Sequence, residues 1–329
     1  MSAALSERVR LAAGLFPLER GILCVRGEDR VRWLNGMISN DIASLVPGHE
    51  HSGCYATLLT PKGRIVADMH VLLRGSEFWL EIEADAVAAV AERLERYIIA
   101  DDVELADVGD RFDRFGLEGP NARAILESAT GAAISLAQES NCDLDVAGTR
   151  VVAAAFGWTG EAAFQLFAPT GSGLALAAAL RTAGESLGLV DADADTLEVM
   201  RVEAGIPRLG AELDEEVFPD EARLDRAISS DKGCYTGQEI VARLRSRGQV
   251  NHLLVGLRFS ADAPPPPDSE LHVGERRTGE VTSVCLSPRE GAIGLGYVRR
   301  EHATAGTELT VGGQRAVVAA LPIVSPQGS

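Results

Sequence analysis

Lysine is almost missing from this chain. Lys62 and Lys232 are its two lysines, so arginine makes up nearly all of the 31 basic residues, which face 48 acidic ones. The resulting net charge of −17 leaves no broad basic surface for nucleic acid or for an anionic membrane. Cysteine is sparse and dispersed: Cys24, Cys54, Cys142, Cys234 and Cys285 are odd in number and form no C-x-x-C pair. That spacing argues against a disulfide framework, a structural zinc site and a stably held iron–sulfur cluster, all of which need converging thiols. The histidines form no H-E-x-x-H. No apolar run reaches the ~18 residues needed to cross a bilayer. The first residues carry Glu7 and Arg8 and lack an apolar segment, so they do not read as a signal peptide. The expectation is a monomer in the reducing cytoplasm, with no nucleic-acid partner and no membrane partner.

The 329 residues, 46% hydrophobic, are enough for two or three domains with sizeable cores. Two segments look like copies of one plan. Val25-Arg26-Gly27-Glu28-Asp29 and Leu117-Glu118-Gly119-Pro120-Asn121 each read as strand, glycine turn and helix start. Filling in the elements predicts strands 21–26, 53–60, 64–73, 77–83 and 102–107 with helices 28–37 and 85–99 in the first copy. The second copy has strands 112–118, 150–156 and 162–168, helices 120–129 and 173–185, and a short strand near 188. Each approximates a split β-α-β-β-α-β unit. Residues 195–204 read as a further helix, capped by Asp195 and Glu198 and stopped at Gly205-Ile206-Pro207. Beyond Asn251, short β-rich runs punctuated by glycine and proline suggest a small antiparallel barrel. The run Pro264–Pro267 is a stiff loop between its strands. The fold class is therefore α+β: duplicated ferredoxin-like lobes (1–108 and 109–248) plus a C-terminal antiparallel β-barrel (249–329).

The most informative stretch is Lys232-Gly233-Cys234-Tyr235-Thr236-Gly237-Gln238-Glu239. Thr236 and Glu239 have capping-box spacing ahead of an apolar-patterned run, which places Cys234 just outside a helix N-terminus. There the dipole and the nearby Lys232 favour a thiolate. A tight glycine turn around a small buried filler fits the same residues.

Glu203 lies three and four residues after Met200 and Val199, so it shares their helix face. A carboxylate among apolar groups needs donors. Paired N–H groups from an aminopyrimidinone ring would satisfy it, and so would an arginine of this chain. Asp68 alternates against Ile65, Ala67 and Met69 on a strand and is expected half-buried or on a solvated sheet face. Trp158 sits in the turn Gly157-Trp158-Thr159-Gly160-Glu161, placed to pack on a flat ring or to cap the hairpin. Gly291, Gly294 and Gly296 lie among strands with no following helix, which discards a nucleotide-binding loop.

The eight-residue signature at 232–239 resembles that of the YgfZ-type folate-binding proteins, relatives of the glycine-cleavage T-protein. Further segments are similar in the same order: Ser39-Asn40-Asp41, Gly157-Trp158-Thr159-Gly160-Glu161, Arg201-Val202-Glu203-Ala204-Gly205 and Gly294-Leu295-Gly296-Tyr297-Val298. The resemblance implies folate-binding lobes around a central channel that holds tetrahydrofolate or a one-carbon derivative. It implies that Glu203 grips the pterin, with Arg201, Asn40, Trp158, Tyr235 and Gln238 as further cofactor-binding candidates. It places Asp68 near folate N5 and makes Cys234, Asp68 and Lys232 the candidate catalytic residues. Two departures tell against the enzyme of the family: Ala67 stands where T-proteins commonly carry a second acid, and Gln238 where they usually carry arginine.

The function expected is a folate-dependent accessory factor for iron–sulfur cluster assembly or repair, with iron–sulfur client or assembly proteins as partners. The alternatives are an aminomethyltransferase and a non-catalytic interaction scaffold.

Overall fold

The computed structural model describes residues 2–48, 51–248 and 250–327. The chain opens with α1 (Ser2–Leu11) and β1 (Ala13–Pro17), then builds the first lobe. That lobe runs β2 (Arg20–Arg26), α2 (Arg30–Met37), β3 (Gly53–Leu59), β4 (Ile65–Arg74), β5 (Glu77–Glu83), α3 (Val87–Glu95) and β6 (Glu104–Asp107). The predicted order holds throughout. The strands form a five-stranded sheet in the order β3-β4-β5-β2-β6. Its helix-covered face is apolar: Ala67, Met69, Val71, Leu80 and Ile82 alternate inward and pack on Trp33, Leu34, Val90 and Leu94 of the helices.

The second lobe runs β7 (Phe112–Glu118), α4 (Ala122–Thr130), β8 (Asn141–Val146), β9 (Thr149–Ala154), β10 (Ala163–Pro169), α5 (Gly173–Gly184) and β11 (Leu189–Asp191). Its six-stranded sheet has the order β11-β1-β7-β10-β9-β8. Two strands here differ from the sequence expectation. β8 is an additional hairpin partner of β9, and β1 comes from the chain start, which the sequence assigns to the first lobe. β1 adds antiparallel to β7 and parallel to β11, which covers the edge that β7 would otherwise expose.

Helix α6 (Ala194–Ala204) follows. Its cap is Asp193, whose side chain accepts from Thr196 N at 2.8 Å, two residues before the predicted Asp195. Gly205 ends it in the left-handed conformation, as expected. The helix is buried on nearly all sides: Val199 and Val202 face the barrel-side core, and Met200 faces α1 and β1. Helix α7 (Gln238–Arg247) leads into a closed barrel of β12 (His252–Phe259), β13 (Glu270–Val273), β14 (Arg276–Ser287), β15 (Gly291–Arg299), β16 (Glu308–Val311) and β17 (Gln314–Ala319). The proline run lies between β12 and β13. Among the described residues, no helix is long and apolar enough to cross a membrane.

The two lobes meet sheet to sheet. The register makes three rows on the outer face of the first sheet: Leu72, Trp79 and Cys24; then Tyr55, His70, Glu81 and Ile22; then Thr57 and Asp68, followed by Glu83 and Arg20. The first row packs on Phe112 and Phe167 of the second sheet. In the second row Glu81 pairs with Arg114 and His70 stacks on Phe156, with ring centroids 3.7 Å apart.

Candidate functional site

Asp68 lies in that third row, half-buried, on the face that β4 turns toward the second lobe. Ile65, Ala67 and Met69 point the other way into the core, as their alternation predicts. The Tyr55 hydroxyl donates to Asp68 Oδ2 at 2.8 Å. Asp68 Oδ1 takes no partner among the described residues. Tyr55 is itself buried, and the Arg226 guanidinium sits over its ring, 4.5 Å from the centroid. Burial, with Asp68 beside it, holds the Tyr55 phenol well above its ordinary range, so it is a hydrogen donor at any physiological pH.

Trp158, from the second lobe, lies beside Arg20. Its loop is tied down from within: the fully buried Glu118 carboxylate accepts from Trp158 N (3.0 Å), Thr159 N (2.9 Å), Thr159 Oγ1 (2.8 Å) and Gln165 Nε2 (3.1 Å). Burial raises the Glu118 carboxyl, and these donors oppose the rise. Gly157 is required at the turn, because a Cβ there would sit 2.6 Å from Glu118 Oε2. The half-buried indole lies edge-on to Phe156 and His70, and the Arg20 guanidinium is 4.7 Å from its centroid.

Arg20 is held by Glu81 through Nε (2.7 Å) and Nη2 (3.1 Å), and it also pairs with Glu83. Burial works against the charged form of Glu81, but Arg20 and Arg114 outweigh it and bring the carboxyl down to about 2. Two clefts with no lining residue in common flank this wall. One, about 910 Å³, is lined by Arg20, Glu83, Trp158, Arg208, Phe115 and Leu197 among others. The other, about 790 Å³, takes Tyr55, Phe156 and Gly160 into its lining. Volumes of this size accept a small organic ligand. A half-buried carboxylate with one open lone-pair oxygen, set among flat rings, is suited to a heteroaromatic ring that presents an N–H.

The other residues expected at the site are committed elsewhere. Glu203 is fully buried, paired with Arg10 and accepting from Ser287 Oγ. Arg10 reaches it from α1, and its other end bonds Glu161 at 2.9 Å. This corrects the expectation that Glu203 grips a pterin: an arginine of the chain satisfies it instead. Arg201 is a lining residue of the 910 Å³ cleft, but all five of its N–H donors are used, on Glu198, Glu212, Ser283 Oγ and the Ile206 carbonyl, so it joins α6 to the barrel. Asn40 Nδ2 donates to the Tyr55 and Arg226 carbonyls at 2.8 and 3.0 Å. It acts as a tether between lobes, with no donor left for a ligand. Tyr235 is buried in the barrel-side core, and Gln238 is half-buried at the start of α7 and lines neither cleft.

The signature loop is also built differently from the expectation. Lys232 Nζ donates to three carbonyls, Asn35, Ile38 and Asn40, each at 2.7 Å. These lie at the C-terminal end of α2, where a cation is favoured. Burial brings the Lys232 ammonium down to about 8, with Asp41 opposing. All three of its hydrogens are spent on the first lobe, so Lys232 is a latch and leaves none for a thiolate. The predicted capping box does not form. Gly237, in the left-handed conformation at φ 83°, is the N-cap of α7, with no side-chain cap, and Glu239 instead pairs with Arg243 at 2.7 Å. The Thr236 N–H, which the Glu239 carboxylate would accept from in a capping box, already donates to the Gly36 carbonyl at 3.1 Å. Cys234 is exposed on this docked loop and lines neither cleft.

Of the nine candidates, then, Asp68 and Trp158 share a neighbourhood, each lying near Arg20. Sequence reasoning did not single out Tyr55, Arg20, Glu81, Glu83 or His70. The signal for them was there, in charged and polar residues alternating with apolar ones on β2, β4 and β5.

Comparison with known proteins follows the same architecture. The model of the GCVT N-terminal domain matches residues 3–232, and that of the glycine cleavage T-protein C-terminal barrel domain matches residues 253–326. A protein of Saccharopolyspora erythraea named aminomethyltransferase is 32% identical over 319 residues, covering 94% of this chain and 85% of the relative. One of Streptomyces coelicolor with the same name is 31% identical over 307 residues, covering 91% and 82%. The crystal structure of glycine cleavage system aminomethyltransferase T from Bartonella henselae aligns with a TM-score of 0.87 at 25% identity, covering 99% of this chain and 90% of that one.

Proposed function

The chain belongs to the glycine-cleavage T-protein family, and from that premise we propose that it binds tetrahydrofolate beside Asp68 and transfers a one-carbon unit to it, as an aminomethyltransferase. The observation that carries this reading is Asp68 itself: half-buried, held by Tyr55, with its second carboxylate oxygen unpartnered among the described residues, and beside Arg20 and Glu83, which line the 910 Å³ cleft although Asp68 does not. The fit to a reduced pterin rests on three features: the Trp158 ring in the 910 Å³ cleft, the apolar and charged walls of that cleft, and the unpartnered Asp68 oxygen beside its Arg20–Glu83 wall. The donor substrate would be an aminomethyl group carried on a dihydrolipoyl protein. Asp68 would polarise the reacting N–H while the folate nitrogen attacks the carried carbon and ammonia leaves.

Incubation with tetrahydrofolate and an aminomethylated lipoyl carrier tests the proposal. It predicts 5,10-methylenetetrahydrofolate from the wild type and its suppression in Asp68→Asn. No product from a folded wild type would refute it.

The iron–sulfur role expected from the signature draws no support from the relatives, which are named aminomethyltransferase. One observation keeps it as a second reading. Cys234 is exposed, and the other four thiols are buried or half-buried. Loss of complementation by Cys234→Ala in a strain lacking the protein, with folate binding intact, would favour that role; full complementation would dismiss it.

A further inference from the structure

Asp68 has a second carboxylate for a neighbour. The β4–β5 register pairs His70 with Glu81, and the β2–β5 register pairs Arg20 with Glu83. The β4–β5 ladder ends at His70–Glu81; two residues further along each strand, Asp68 and Glu83 fall on the same sheet face, near enough for the Asp68 charge to act on Glu83. Glu83 lines the 910 Å³ cleft together with Arg20 and Trp158. Glu81, its neighbour on the same face, is fully buried and locked on two arginines, so it exchanges no proton near neutrality. Glu83 is less committed. One of its oxygens accepts from Arg20, and Oε2 takes no partner among the described residues. We propose that Glu83 is the proton donor of the site, working opposite Asp68 as the ionised acceptor.

The groups facing Glu83 are Asp68 on β4, Arg20 on β2, Glu81 on its own strand, and Arg208, which follows α6. Burial pushes the Glu83 carboxyl up. Asp68 and Glu81 push the same way, and Arg20 and Arg208 oppose them. Neighbouring like charges disfavour ionisation, so Glu83 holds its proton to higher pH than a lone surface glutamate would.

The assignment rests on the folate reading above. In that reaction two C–N bonds form, from N5 and N10 to the carried carbon. The bonds from that carbon to the amine nitrogen and to sulfur break, and each departing atom keeps the electron pair. Glu83 gives its proton to the amine nitrogen and is reprotonated from N10–H. Asp68 takes the N5–H proton and passes it to sulfur. Ammonia and a free thiol leave, and no oxidant or reductant is consumed.

Two measurements test it. Isotope-edited infrared difference spectra of the protein alone, across a pH titration, should show a protonated carboxyl persisting above the ordinary glutamate range, and Glu83→Gln should remove it. In turnover, Glu83→Gln should lower kcat about a hundredfold and abolish the alkaline limb of the pH profile, with folate affinity and circular dichroism unchanged. Glu83→Asp should restore part of the rate. A carboxyl signal that is absent from the wild type, or that survives in Glu83→Gln, overturns the assignment. So does wild-type turnover with a wild-type pH profile in Glu83→Gln. A wild type that shows the Glu83 proton but forms no methylenetetrahydrofolate overturns the folate reading instead and leaves that proton standing.

Discussion

Tyr55 donates its hydroxyl hydrogen to Asp68 across the β3–β4 pair at 2.8 Å, and this one bond orients the acid on which the site depends. The bond leaves Asp68 Oδ1 free while fixing the carboxylate plane. Tyr55→Phe keeps the ring, its burial and its contact with Arg226. The expected result is a fold within about 1 kcal/mol of wild type by denaturant melt, with turnover down about tenfold. Unchanged turnover would mean that Asp68 needs no orienting partner.

Glu203 gives a prediction opposite to the one its position in the sequence suggests. It is the buried partner of Arg10, and its backbone carbonyl also accepts from Ile323 N and Val324 N of the C-terminal segment. Glu203→Ala leaves a buried guanidinium short of one carboxylate, which should cost about 3–5 kcal/mol of stability. Arg10→Met combined with Glu203→Leu should recover much of that loss. Folate affinity of the folded Glu203→Ala protein should match wild type. A stable variant that no longer binds folate would instead return Glu203 to the role of pterin grip.

Much of the fold is legible in the sequence because it follows from periodicity. The first lobe's elements fall where alternation on β4 and β5 and the glycine turn at Gly27 put them. The barrel follows from its short strands and breakers. β8 escapes because Asn141-Cys142-Asp143-Leu144-Asp145-Val146 alternates apolar residues with aspartates of low strand propensity. β1 escapes because its place is decided by pairing with β7, a long-range choice that no local pattern encodes. The site was less legible for the same reason. Glu203 reads as a buried acid in search of donors, which is correct, but the donor is Arg10, 193 residues away. Lys232 reads as a charge beside Cys234, yet three carbonyls of another lobe claim it. A sequence shows which groups need partners and leaves the tertiary fold to select them.

The inter-lobe cluster at Glu81 makes stability depend on acid. Its carboxyl stands at about 2 in the fold against an ordinary 4.5. A folded value below the unfolded one gives stability that is present above pH 4.5 and is lost as pH falls toward 2. The contribution is about 3 kcal/mol. Denaturant melts between neutral pH and pH 2 should show this loss, and Glu81→Gln should be weaker at neutral pH with a flatter acid limb. Parallel acid limbs in the two proteins would assign the effect to other carboxylates.

The thiols should separate cleanly. Burial pushes Cys24, Cys54 and Cys285 up to about 12 and raises Cys142 as well. Cys234 is exposed. A thiol-specific reagent at neutral pH should label one cysteine of the native protein quickly, and Cys234→Ser should remove that phase. Fast labelling of a second thiol would contradict the burial described here.

The most direct test of the folate site is calorimetric titration of tetrahydrofolate into the wild type, Asp68→Ala and Trp158→Ala. Saturable one-to-one binding to the wild type, weakened at least about tenfold in each variant, is the predicted outcome. Equal affinity in all three proteins, or no binding by the wild type, would contradict the placement of a reduced folate against Asp68 and Trp158.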